Sequence, residues 1–267
     1  TLYIIYYILM NYNDSSLPLD ITPFVSIDSI DSIDSIDSID SIDSIDSIDS
    51  SVPVSIKKFT IYGERCSGTN YLESIINKNF DVNITWDYGW KHFFGFSDLT
   101  NSDDTLFIGI VRNPIDWINS LFRTPHHLPC NFRINNADIF LNNEIFSVYD
   151  NDTEVMDDRN IYTKERYKNI FESRHIKLKF LIEDMPLLVK NYILIRYEDL
   201  LDDFNNTMIK IKEKGLLVKN NIDFPLNNTL RLKTNDIFVK NSKKNDIPDD
   251  LIKDNLNTIY EIKLNYL

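Results

Sequence analysis

Two cysteines, Cys66 and Cys130, are all that 267 residues contain. That is too few for a disulfide framework, and neither stands with histidines at a spacing that would hold zinc. No metal site is expected. A long hydrophobic run is also missing. Residues 2–10 are apolar without a break, but a membrane span needs roughly 20 such residues, so an ordinary apolar start or a short strand is the expectation. The chain begins with Thr rather than Met, which leaves a truncated N-terminal membrane anchor as the alternative. A cytoplasmic placement is expected, with a membrane-anchored lumenal one as its counterpart. Excess positive charge is lacking too. With 28 Lys and Arg against 41 Asp and Glu the net charge is −13, and there is no basic footprint for nucleic acid.

Much of that acidity is local. Eight Ser-Ile-Asp triplets fill residues 26–49 and carry eight carboxylates, so the rest of the chain stands at only −5. A period of three matches neither the helix nor the strand, so the isoleucines cannot line one face. Residues 26–51 therefore read as a disordered, self-repelling linker. They separate an N-terminal segment, 1–25, from a globular domain over 52–267.

In that domain, Lys58–Tyr62 reads as a strand, followed by a loop and a helix over 69–77. A weaker strand is expected near 82–86. Thr105–Val111 is a continuous apolar run, as in a strand buried on both faces. Asn113-Pro114 opens a helix with a good N-cap and a Pro suited to the first turn. Residues 162–184 read as one long helix, Tyr192–Arg196 as a buried strand, and two more helices run through Ile211 and over 249–264. Alternating strands and helices indicate an α/β fold, a three-layer α/β/α sandwich with a mainly parallel sheet.

The loop Gly63-Glu-Arg-Cys-Ser-Gly68 has the GxxxxG spacing of a P-loop. Glycines there let successive N–H groups turn around an anion, and the following helix adds its positive dipole end. Nucleotide hydrolases and kinases need Gly-Lys-Ser/Thr next, whereas Gly68 is followed by Thr69 and Asn70. A triphosphate would lack its clamp.

Ser67-Gly68-Thr69 after a strand and a basic residue resembles the 5′-phosphosulfate loop of sulfotransferases that use 3′-phosphoadenosine 5′-phosphosulfate (PAPS). The string from Gly63 to Leu72 is similar to a less-studied branch of that family. Most members carry a basic residue directly before the Ser-Gly-Thr; here Cys66 stands there, with Arg65 one place earlier. The resemblance gives Arg65 the bridging oxygen of the donor, and Cys66 reads as a small buried residue filling the loop rather than a nucleophile. Arg112, with Asn113-Pro114 after it and Ser120 eight residues on, resembles the family's 3′-phosphate motif. Ser120 lies two helical turns in, on the order of 10 Å along the axis, so both residues can meet one phosphate. Tyr197-Glu198-Asp199-Leu200 resembles a strand-end motif that implies an adenine contact for Tyr197, with Glu198 and Asp199 capping and bracing the next helix. The resemblance spans about residues 57–204. No Arg-Lys-Gly loop follows it, and residues 240–244 are the expected substitute.

For the chemistry, Trp90-Lys91-His92 is similar to a Lys-x-His string that ends in the family's catalytic base. His92 accepts a proton near neutral pH, and Lys91 adds positive charge beside the donor. Glu73, on the helix after the loop, is the alternative base, since membrane-type carbohydrate sulfotransferases use a Glu one residue further on. His126 and His127 belong to the acceptor region or the surface, and His175 to a solvated helix face. Residues 124–161 are expected to wall the acceptor pocket. The implied reaction moves a sulfuryl group from PAPS to an acceptor hydroxyl, a glycan hydroxyl by analogy. A P-loop kinase and a degenerate anion-binding relative are the competing readings.

Overall fold

The computed structural model describes residues 55–219 and 245–267. The expectations for residues 1–51 and for 240–244 lie outside them. Among the described residues, four parallel strands form a sheet: β1 (Lys58–Tyr62), β2 (Asn83–Ile84), β3 (Thr105–Val111) and β4 (Tyr192–Arg196), in the order β2-β1-β3-β4. The helices are α1 (Thr69–Asn79), α2 (Pro114–Arg123), α3 (Ala137–Asn142), α4 (Ile170–Lys179), α5 (Met185–Leu188), α6 (Tyr197–Asp202), α7 (Phe204–Lys212), α8 (Asp249–Lys253) and α9 (Thr258–Lys263).

Alternation along the strands sets the layers. Phe59, Ile61, Leu106, Ile108, Ile110 and Ile195 bury one face against Leu72, Ile75 and Ile76 of α1 and Met208 and Ile211 of α7. Tyr62, Phe107 and Val111 turn the other way, onto Leu178 of α4, Phe180, Leu181 and Tyr260 of α9. Helices thus cover both faces, and the sandwich is three-layered. Every residue of β3 is buried, as its unbroken apolar run requires. A separate cluster around Trp117, Ile118, Leu121 and Phe140 packs α2 against α3, Phe171 of α4 and Ile252 of α8.

Three element boundaries differ from the sequence reading. The long helix expected over 162–184 begins only at Ile170. Asn160 draws the amides of Tyr162 and Thr163 into a turn, and the Asn169 side chain caps Glu172 N at 2.9 Å. It then widens into a π turn over Phe180–Asp184 before α5. Pro186 supplies the reason, because it has no N–H for the Ile182 carbonyl and its ring crowds that oxygen. The helix expected over 249–264 is two helices, the second capped by the Asn257 side chain on Ile259 N at 3.3 Å. The strand near 82–86 shortens to two residues.

In register, Tyr62 lies beside Gly109 and Val111 beside Arg196. Gly63, Arg112 and Tyr197 therefore leave the sheet together at its carboxyl edge, where open α/β sheets bind ligands.

Candidate functional site

Gly63 is pressed against β3, where an added Cβ would come within 2.6 Å of Ile110 Cγ2. Its N–H donates to Lys91 O at 2.9 Å. From there the loop turns through Cys66, at φ 64°, into Gly68, at φ 90°. Gly68 lies over the ring of Tyr197, with 2.4 Å left for a Cβ, so both space and backbone conformation demand glycine. No side chain caps α1 and no acid sits in its first turn, which leaves that end electropositive. Inside the loop, Ser67 is 1% exposed and its Oγ is buried with no hydrogen-bond partner. A buried hydroxyl without a partner is costly, and an anion's oxygens would satisfy it.

Arg112 completes this concavity. Its Nη1 donates to Cys66 O at 2.9 Å, its guanidinium lies 5.0 Å from the Tyr197 ring centre, and its Nε is buried without a hydrogen-bond partner. The helix after it starts as expected, with Asn113 Oδ1 accepting from Ile115 N at 3.0 Å and Pro114 in the first turn. Ser120 comes near the loop through Thr124, whose Oγ1 donates to Ser120 O at 2.7 Å and lies 3.7 Å from Cys66 Sγ. Arg112, Cys66 and the Ser120 turn are one neighbourhood. Glu198 does not cap its own helix, which has no side-chain cap. It accepts from Asn113 N at 2.9 Å and from Tyr266 Oη at 2.7 Å, so it ties the β3–α2 turn to the C-terminus. Asp199 pairs back onto Arg196.

His92 meets the same loop. Its Nδ1 is 2.7 Å from the Gly63 carbonyl. A carbonyl only accepts, so Nδ1 carries the proton. The residue keeps some solvent contact, but burial of the ring drives its pKa well below 6.5, further than the Gly63 bond lifts it. The imidazole is therefore neutral, with its lone pair on Nε2. Lys91 donates to Asn70 Oδ1 and to Glu73 Oε2, the latter at 3.2 Å, and lies 5.2 Å from the Trp90 ring centre. The alternative base, Glu73, is thus held in an ion pair. Arg65 turns the other way, donating to Ser147 Oγ and to Asp158 Oδ2 at 3.3 Å. Its carbonyl accepts from Trp117 Nε1 at 2.8 Å. Arg65 is committed to a buried carboxylate, and the cation at the α1 end of the loop is Lys91.

Behind the loop lies a buried network that the sequence reading passed over. Arg174 grips Glu261 with Nε–Oε1 at 2.5 Å and Nη2–Oε2 at 2.9 Å, reaches Arg112 O at 2.9 Å and faces Glu64 at 3.4 Å. Lys177 donates to Asp158 Oδ1 at 2.6 Å and to His92 O at 3.1 Å. Burial alone would raise Asp158, but Lys177 and Arg65 overcome it and bring its pKa down to about 2. For Glu64 burial wins over Arg174 and Lys177, and its pKa is raised. The signal was present as spacing. Ile170, Phe171, Arg174, Lys177 and Leu178 form one helix face, so the two cations lie on the apolar stripe. His175, read as a solvated residue, is half-buried with its ring 5.0 Å from that of Tyr260.

No protein-family model matches the chain, and no curated protein matches it. Among solved structures, the chain is similar to mouse sulfotransferase SULT7A1 complexed with PAP, at 17% identity and a TM-score of 0.35. That match covers 62% of this chain and 61% of the mouse chain, so it spans under two thirds of the relative.

Beside the loop, past Thr124, opens a cleft of about 890 Å³ lined by His126, His127, Arg133, Tyr149 and Asp246 among others. It draws on part of the 124–161 stretch, and the His127 ring sits edge-on to Phe93, next to His92, at 6.1 Å. Among the described residues no three of His, Cys, Asp and Glu gather to hold a metal ion. None of the described helices is long and apolar enough to cross a membrane. Chemically, the site offers a cradle for one anion in the loop, a second cationic site at Arg112, and a neutral imidazole held against the loop by Gly63 O.

Proposed function

We propose that this domain binds a nucleotide bearing 5′- and 3′-phosphates and transfers a sulfuryl group from PAPS to an acceptor hydroxyl. The observation that carries this reading is the pair of buried polar atoms without partners, Ser67 Oγ and Arg112 Nε, one in each anion motif. Cys66 O, which accepts from Arg112, joins the two motifs. The amides of the loop, Ser67 and the start of α1 would hold the 5′ group, and Arg112 with Ser120 the 3′-phosphate. Tyr197 floors the loop and takes the adenine side. When bound, the donor supplies an activated sulfuryl group. His92 is the base, taking the acceptor proton on Nε2 while Gly63 O holds Nδ1–H. Lys91 brings positive charge beside Asn70, and the cleft past Thr124 admits a polar, hydroxyl-bearing acceptor.

Calorimetric titration with 3′-phosphoadenosine 5′-phosphate (PAP) in EDTA tests this against ATP with magnesium. PAP should bind without metal and better than ATP. Arg112→Ala should weaken PAP by about 1.5–3 kcal/mol, the worth of a hydrogen bond to a charged group. Unchanged affinity in that variant would overturn the assignment. PAP binding without turnover of labelled PAPS would move the protein to the anion-binding reading.

A further inference from the structure

His92 is gripped at two places. Gly63 O holds its ring, and Lys177 Nζ holds its backbone carbonyl at 3.1 Å. A ring held by one hydrogen bond can still pivot about it, whereas a second grip on the main chain fixes where the ring starts. Lys177 is 3% exposed and Asp158 2%. Lys177 also lies 5.6 Å from the Phe94 ring centre and 5.8 Å from that of Tyr167. Asp158 is shared: Oδ1 takes Lys177, and Oδ2 takes Arg65 together with the hydroxyl of Ser147. Two arms therefore leave Lys177 of α4, one to the backbone carbonyl of His92 and one through Asp158 to Arg65 of the loop.

We propose that Lys177 is a positioning residue, which seats His92 by its carbonyl and, through Asp158, locks that seat to Arg65 of the loop. The inference rests on His92 being the base. Stability is a poor reason for this lysine. A buried ion pair must recover the desolvation of both partners, and a packed apolar side chain is often as stable. An ammonium offers what an apolar group lacks, namely donors that satisfy oxygens from two separate segments at once. The charged groups facing the imidazole are Lys91 on its own loop, Arg65 on the phosphate loop and Lys177 on α4, with Asp158 countering the last two.

Nitrogen-15 NMR of the His92 ring in Lys177→Met reads the seat without any turnover. The expected result is twofold: the single Nδ1–H tautomer gives way to averaged shifts, and the ring titrates higher once a nearby like charge is gone. PAP affinity by calorimetry should stay near wild type. If Lys177 merely filled space, the variant would melt lower yet keep the wild-type tautomer and ring shifts, and that outcome overturns the proposal. Should Lys177→Met fail to fold, Lys177→Gln, whose shorter side chain does not span His92 O and Asp158 together, carries the same expectation for the ring shifts. A wild-type protein that binds and turns over no donor would count against the proposed reaction, while the ring shifts would still decide the seat.

Discussion

The neutral imidazole of His92 ties the protein's stability to pH. Its pKa in the folded state lies well below 6.5 because the ring is buried, whereas in the unfolded chain it returns to about 6.5. Between those two values the unfolded chain binds the proton first, so stability rises with pH across that window. The contribution is fully present above the unfolded value and is lost as pH falls through it toward the folded one. The melting temperature should therefore climb from about pH 5 to about pH 7, and His92→Gln should flatten that climb. The amide of Gln can still donate to Gly63 O but does not titrate. His127 and His175 are also lowered by burial, yet both persist in the variant, so the difference between the two profiles isolates His92. Identical slopes would mean that the ring is not buried as described.

Among the elements, α4 departs furthest from its apparent character. A segment with Glu172, Arg174, His175, Lys177 and Lys179 looks like a surface helix, and its start and end were both misplaced in the sequence reading. The partners that make it a core helix are distant: Arg174 meets Glu64 and Glu261, 110 and 87 residues away. No local pattern announces such pairings. By contrast the bounds of β1, β3 and β4 were legible residue by residue, because an apolar run needs no distant information; β4, read as buried, lies at the end of the strand order and buries only Ile195. The N-terminus of α2 was legible for a similar reason, since Asn113 and Pro114 act within one turn. In the site, the glycines and Arg112 could be read from spacing and the sheet edge. The direction of the Arg65 side chain could not, because Asp158 decides it from 93 residues away. Removing one member of the α4 network tests its weight. Arg174→Met leaves Glu261 and Glu64 buried without their cation, and should cost about 3–5 kcal/mol in urea unfolding. A loss below about 1 kcal/mol would show these charges to be solvated.

For the whole molecule, the Ser-Ile-Asp repeat and the sandwich follow different rules. A period of three cannot present an apolar face, so residues 1–51 should add nothing to the core. Their deletion should leave the melting temperature and PAP affinity unchanged, and a drop of several degrees on scanning calorimetry would show that they pack. The sandwich, for its part, is closed by its far end. The sheet and its two hydrophobic faces draw mostly on residues before Gly215, but the Arg174 guanidinium behind the Gly63–Gly68 loop finds one of its two carboxylates only in Glu261. On the ribosome, then, the strands can pair while Arg174 has Glu64 alone as its carboxylate. Docking of the helix that carries Glu261 completes the pairing, so a chain stopped before it should keep the sheet and lose part of the support behind that loop.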